Sequence, residues 1–282
     1  MKSKKSTILL LLVFLIGLSL LLYPSFSNYW NSFHQSRAIA SYSDAVSDLD
    51  EASYEQYLTE ARKYNEELLT KTNRFQPTEE EHARYEKLLD VTGTGIMGYI
   101  EIPSIDVSLP IYHGVEDTVL QIAAGHIEGS SLPVGGESTH CVLSGHRGLP
   151  SAKLFTDLDE LTEGDIFIVH VLDEVLTYEV DQIHIVEPED LDLLQIEEGQ
   201  DLCTLVTCTP YGINTHRLLV RGHRIENLDG ASSRIPADAV QIDPVVVAPV
   251  VAAPLLVILL IWILISSAKK KQRNKKKQEN KK

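Results

Sequence analysis

Three side chains in this 282-residue chain could together break and re-form an acyl bond: a thiol, an imidazole and a guanidinium. Cys208 closes the run Leu202-Cys203-Thr204-Leu205-Val206-Thr207-Cys208 and is followed by Thr209-Pro210-Tyr211-Gly212. A thiol nucleophile needs exposure and a neighbour that stabilises thiolate or takes its proton. The end of a strand beside a turn supplies the exposure. Cys203 has the opposite side-chain parity and apolar neighbours, and Cys141 opens another apolar run; both are expected in packing. His146 ends the run Cys141-Val142-Leu143-Ser144-Gly145-His146, before the loop Arg147-Gly148-Leu149-Pro150. There it can face a cleft and serve as general acid and base. Arg217 lies across the turn from Cys208, where a hairpin would return it to the thiol. A fixed cation at that point can hold a substrate carbonyl or a developing oxyanion. Each residue also has a plainer use, since a lone strand histidine is more often packing and a lone arginine a solvated charge. A metal site drawing on Cys203, Cys208, His216 and His223 is the competing chemistry. No CxxC or paired-histidine spacing supports it, and neither metal nor cofactor is expected.

These residues need strands to hold them. From Ile96 onward the chain falls into short apolar runs: IMGYIEI, DVSLPIY, HCVLSGH, DIFIVHV, EVLTYEV, QIHIVE, LCTLVTC and HRLLVRGHR. Most are bounded by Pro, Gly or acidic turn residues. Seven or eight such strands with brief helices between them predict a closed or nearly closed barrel, a mainly β fold. Ahead of it, Leu49, Ala52, Tyr57, Ala61, Tyr64 and Leu68 recur at helical spacing and predict a helix from Asp44 to Leu69. A second helix is expected from Thr78, which with Glu81 has the capping-box pattern, to about Asp90.

Apolar runs lie near both ends. Residues 7–22 carry no charge and follow Lys2, Lys4 and Lys5; residues 245–265 carry none and precede nine Lys or Arg. The second run has the length a helix needs to cross a bilayer, and Tyr23 and Trp30 extend the first into an interfacial belt. Leu22-Tyr23-Pro24-Ser25-Phe26 is a poor cleavage site, which favours an uncleaved anchor. The basic flanks put both ends on the cytoplasmic side and the middle outside. With those flanks set aside, 13 basic residues face 39 acidic ones, a net −26 behind the whole-chain −15. That acidity speaks against nucleic acid as a partner, and the basic tail suits anionic lipid. Three cysteines are too few, and odd in number, for a disulfide framework.

At the reactive residues the sequence resembles class C sortases, the pilin-polymerising branch of a cysteine transpeptidase family. Ser144-Gly145-His146-Arg147-Gly148-Leu149-Pro150-Ser151-Ala152-Lys153-Leu154-Phe155 is similar to the family's histidine segment. Thr204-Leu205-Val206-Thr207-Cys208 is similar to its TLxTC segment, and Asn214-Thr215-His216-Arg217-Leu218-Leu219-Val220 to its arginine strand. The likeness runs from about Met97 to Ile225. It implies an eight-stranded barrel behind N-terminal helices, with catalysis by His146, Cys208 and Arg217. It also implies attack on the Thr–Gly bond of an LPxTG-type sorting signal on a pilin or surface protein. A pilin lysine amine would then resolve the thioacyl enzyme. The setting implied is the outer face of a Gram-positive-type cell membrane. One departure stands out: members usually carry an Asp-Pro-aromatic lid over the cysteine, and Lys71-Thr72-Asn73-Arg74-Phe75-Gln76-Pro77 has none. Phe75 is the side chain of that stretch that could cover the site.

The expected organisation is a cytoplasmic tail (1–6), an anchor (7–23), a helical region (24–95), the catalytic barrel (96–226), a linker (227–244), a second transmembrane helix (245–265) and a basic cytoplasmic tail (266–282). The alternatives are a sortase that anchors proteins to peptidoglycan, which shares the triad, and an inactive membrane-tethered assembly module.

Overall fold

The computed structural model describes residues 2–227. The linker beyond 227, the second apolar run and the basic tail lie outside the described residues. Helix α1 (Lys2–Ser47) contains Pro24, and among the described residues it is the one helix long and apolar enough to cross a membrane. Residues 2–29 and the unit beginning at Trp30 are separate compact units, and the barrel belongs to the second.

The helix expected over 44–69 is interrupted. α1 stops at Ser47 and α2 (Glu51–Leu68) restarts at Asp50, whose carboxylate accepts from Ser53 N at 2.8 Å. A short polar acceptor at that point satisfies an orphan amide of the new helix, so Asp50 acts as a start signal inside a continuous apolar pattern. α2 buries Leu58, Ala61, Asn65 and Leu68, one face at three-to-four spacing. Asn65 earns its buried place through both amide atoms, which bond Leu132 O (3.1 Å) and Leu132 N (2.7 Å). α3 (Glu79–Tyr85) begins with the expected capping box between Thr78 and Glu81 but ends five residues before Asp90. Leu88 and Leu89 both enter the core, and the positive φ of Leu89 is incompatible with a right-handed helix continuing through it.

Eight strands close the barrel: β1 (Ile96–Ile102), β2 (Val107–His113), β3 (Ala124–His126), β4 (Thr139–Ser144), β5 (Ile166–Val171), β6 (Glu174–Val186), β7 (Asp201–Thr209) and β8 (His216–Arg224). Their order around it is β1-β2-β3-β4-β7-β8-β6-β5, with β1 pairing β5. β2–β3 and β4–β7 are parallel and the other pairs antiparallel. Two expected runs, EVLTYEV and QIHIVE, are one strand, β6, carried through by a bulge at Asp181 between Val180 and Gln182. β3 was not expected: three residues, two of them Gly and His, offer no alternation to read.

Alternation sorts the strands into an inner and an outer face. Cys141, Leu143, Cys203, Leu205, Leu218 and Val220 join the main core. Val142, Val206 and Leu219 point the other way and form a second apolar cluster with Leu194, against which Phe75, Ile127 and Val186 pack. Tyr42 ties α1 to the barrel, donating to Met97 O (3.0 Å) and accepting from Leu172 N (2.7 Å).

Candidate active site

β7 and β8 form the hairpin that the sequence predicted, and its register sets Cys208 directly opposite Arg217. Both share the outer parity of Val206 and Leu219, so they stand on the face that carries the second apolar cluster. Cys208 is partly exposed, whereas Cys141 and Cys203 are buried register partners on the inner face. Burial pushes the Cys203 thiol well up, which leaves it protonated and chemically quiet. Arg217 is steadied by backbone: Nη1 donates to His216 O (3.1 Å) and Asn214 O (3.4 Å). Asn214 at positive φ and Gly212 make the turn that lets β8 return. Next to it, His216 Nε2 lies 3.3 Å from Glu187 Oε1.

His146 arrives from β4. The β4–β7 ladder ends at Ser144 opposite Val206, and Gly145 continues it by donating its N–H to Val206 O at 3.0 Å. Gly145 O accepts from the Thr207 hydroxyl at 2.7 Å. No larger residue fits here, because a Cβ on Gly145 would lie 2.6 Å from the Phe155 ring. His146 therefore leaves the ladder beside the Thr207–Cys208 end of β7, with its carbonyl accepting from Phe155 N at 3.1 Å. The imidazole is partly exposed, and its Nε2 is 3.7 Å from Asp117 Oδ1 at the start of α4 (Asp117–Leu120). The three expected site residues thus converge on one end of three neighbouring strands. An acid–base group, a thiol and a guanidinium so arranged are the parts needed for acyl transfer through a thioester.

Sequence reasoning missed four contributors. Asp117 is brought to His146 by tertiary structure alone. Arg147 was visible beside His146 but carried no sign of its bonds to Asp159 and Thr209. Thr207 had no sign of its bond to Gly145. Arg74 is the largest surprise. It is buried, donating from Nη2 to Leu194 O (2.6 Å) and Gln195 Oε1 (3.2 Å), with its guanidinium 4.5 Å from the Phe75 ring centre. Gly129, at positive φ, admits this segment, since a Cβ there would sit 2.1 Å from Arg74 O. The stretch 71–77 lacks the Asp-Pro-aromatic pattern and is nonetheless fastened over the outer cluster next to Cys208's strand.

Comparison with known proteins agrees with this barrel. The sortase domain family model matches residues 100–225. Sortase C1 of Streptococcus agalactiae superposes with a TM-score of 0.66 at 54% identity, covering 68% of this chain and all of that one. The sortase C of Streptococcus pneumoniae, solved for insight into catalysis and pilin substrate specificity, gives 0.59 at 44% identity, covering 68% and 97%. Sortase A of Streptococcus agalactiae is 32% identical over 117 residues, which is 40% of this chain and 47% of that protein. The match thus spans about half of that curated relative. The chain belongs to the sortase family of transpeptidases. Its structural neighbours are sortases of class C.

Proposed function

We propose that this chain is a membrane-anchored cysteine transpeptidase that builds covalent pili. Cys208 thiolate attacks the Thr–Gly carbonyl of an LPxTG-type sorting signal, and the leaving amine departs with a proton from His146. A pilin lysine amine, deprotonated by His146, then attacks the thioester, so the C–S bond breaks as the new isopeptide bond forms. Arg217 holds the substrate carbonyl and stabilises the oxyanion at both tetrahedral stages. The observation that carries this reading is the pairing of Cys208 with Arg217 across β7 and β8, next to the strand end that bears His146. The class C character of the solved relatives, one of which concerns pilin substrates, favours a pilin lysine over peptidoglycan as acceptor. We place both termini in the cytoplasm and the barrel on the outer face of the cell membrane, with α1 as the first anchor and residues 245–265 as the second.

The full-length chain in detergent, given an LPxTG-type peptide and equal amounts of a lysine-bearing pilin peptide and a peptidoglycan stem-peptide amine, separates the acceptors. The expected product is the isopeptide to lysine. Transfer to the stem peptide alone would make the enzyme a wall-anchoring sortase.

A further inference from the structure

Acyl transfer as proposed above requires two side chains on two strands to hold one separation, and the following inference rests on that reading. His146 and Cys208 both lie beyond the last β4–β7 ladder pair, Ser144 with Val206. Past it, side chains tie the strand ends in order. Thr207, which precedes Cys208, donates to the carbonyl of Gly145, which precedes His146, at 2.7 Å. Thr209, which follows Cys208, accepts from Nη1 of Arg147, which follows His146, at 3.4 Å. Each neighbour of the thiol is therefore tied to the matching neighbour of the imidazole.

The Arg147 tie is itself braced. Nη2 meets Asp159 Oδ2 at 2.5 Å, and the guanidinium lies 5.8 Å from the ring centre of Tyr211, in the turn after Cys208. Gly148, at positive φ, lets that ring approach, since a Cβ there would be 3.0 Å from it. The side chain is 9% exposed, and its buried Nε has no hydrogen-bond partner among the described residues. A buried donor left unpaired is a penalty, so hydrogen bonding at Nε gives no reason for a guanidinium here. What a guanidinium does give is a rigid fork that reaches two oxygens at once while its face meets a ring.

We propose that Arg147 is a positioning residue, which fixes His146 relative to Cys208 by bridging Asp159 and Tyr211 to Thr209. It acts through both groups and touches neither the sorting signal nor the acceptor.

The test is steady-state turnover of a fluorogenic LPxTG-type peptide by the full-length chain, with melting temperatures in parallel. Arg147→Gln is expected to lower kcat by about tenfold to a hundredfold, as displaced reacting groups do, with KM unchanged within about twofold. Thr209→Val should lower kcat less, in the same sense. The double variant should be no worse than Arg147→Gln, because both cut one tie. Arg147→Lys should not restore the rate, since an ammonium cannot span both oxygens. Wild-type kcat in Arg147→Gln, a change confined to KM, additive losses in the double variant, or full rescue by lysine would each overturn the proposal. Should Arg147→Gln fail to fold, an unchanged kcat in Thr209→Val overturns it instead. Cys208→Ala runs alongside: turnover surviving there would sink the site assignment and this inference with it. An inactive Cys208→Ala leaves the Arg147 outcomes to bear on Arg147 alone.

Discussion

At the residue scale, position and burial together separate three chemically identical thiols. The strand parity of Cys203 and the end position of Cys208 were legible in the sequence because a strand alternates faces every residue. Their consequence is now physical, since Cys203 is fully buried with its thiol pushed up while Cys208 is partly exposed opposite Arg217. The contacts of Asp117 with His146 and of Arg147 with Thr209 were not legible, because each joins residues 29 or 62 positions apart with no shared periodicity. Arg217→Lys tests the guanidinium at this scale. Lysine keeps the charge but is a single point donor, so kcat should fall by about tenfold or more, where losing an oxyanion donor costs about 10²–10³. Turnover of an LPxTG-type peptide near the wild-type rate would show that Arg217 works through long-range charge.

At the element scale, runs with clean alternation were readable and short or interrupted ones were not. β1 and β8 coincide with runs visible in the sequence, whereas three-residue β3 has no pattern and the bulge in β6 hid its continuity. The segment 71–77 illustrates the same limit. Its sequence suggests that Phe75 burial alone would hold it, a marginal gain of about 1.5–3 kcal/mol against the ordering of several residues. Arg74 changes that balance, since hydrogen bonds to a charged group contribute roughly 1.5–3 kcal/mol each. Arg74→Ala is therefore expected to raise iodoacetamide alkylation of Cys208 about tenfold in the absence of substrate. An unchanged rate would mean that the segment does not shield the thiol. Nearby, His140 gives Nδ1–H to Gln195 O (2.7 Å), so that in its neutral form Nε2 is left to accept from the Thr204 hydroxyl (2.7 Å). Burial pushes its imidazole down from 6.5 to about 4. The unfolded chain therefore binds a proton that the folded chain refuses, and the stability involved is full above about 6.5 and lost as pH falls through 4. Some 3 kcal/mol should disappear over that window. Thermal melts of His140→Gln should show a flatter acid limb than the parent chain. Parallel curves would mean that His140 does not carry the effect.

At the scale of the whole molecule, the proposed membrane topology rests on the charge distribution. The acidic middle, the basic flanks and the apolar α1 all read directly from the sequence, because they are features of composition rather than of packing. Barrel closure was legible as a class from the number and length of strands. Its order was not, because the β4–β7 parallel pairing joins segments about 60 residues apart. Tags placed at both termini should survive protease added outside intact spheroplasts, and loss of the C-terminal tag would show that residues 245–265 do not span as proposed. Everything else depends on Cys208 forming a thioester. The full-length chain mixed with an LPxTG-type peptide, quenched in acid and digested, should show the Cys208 peptide carrying the acyl fragment up to Thr. Hydroxylamine should remove that adduct, Cys208→Ala should lack it and Cys203→Ala should keep it. An acyl adduct on Cys141 or Cys203, or peptide cleavage that continues in Cys208→Ala, would contradict the assignment.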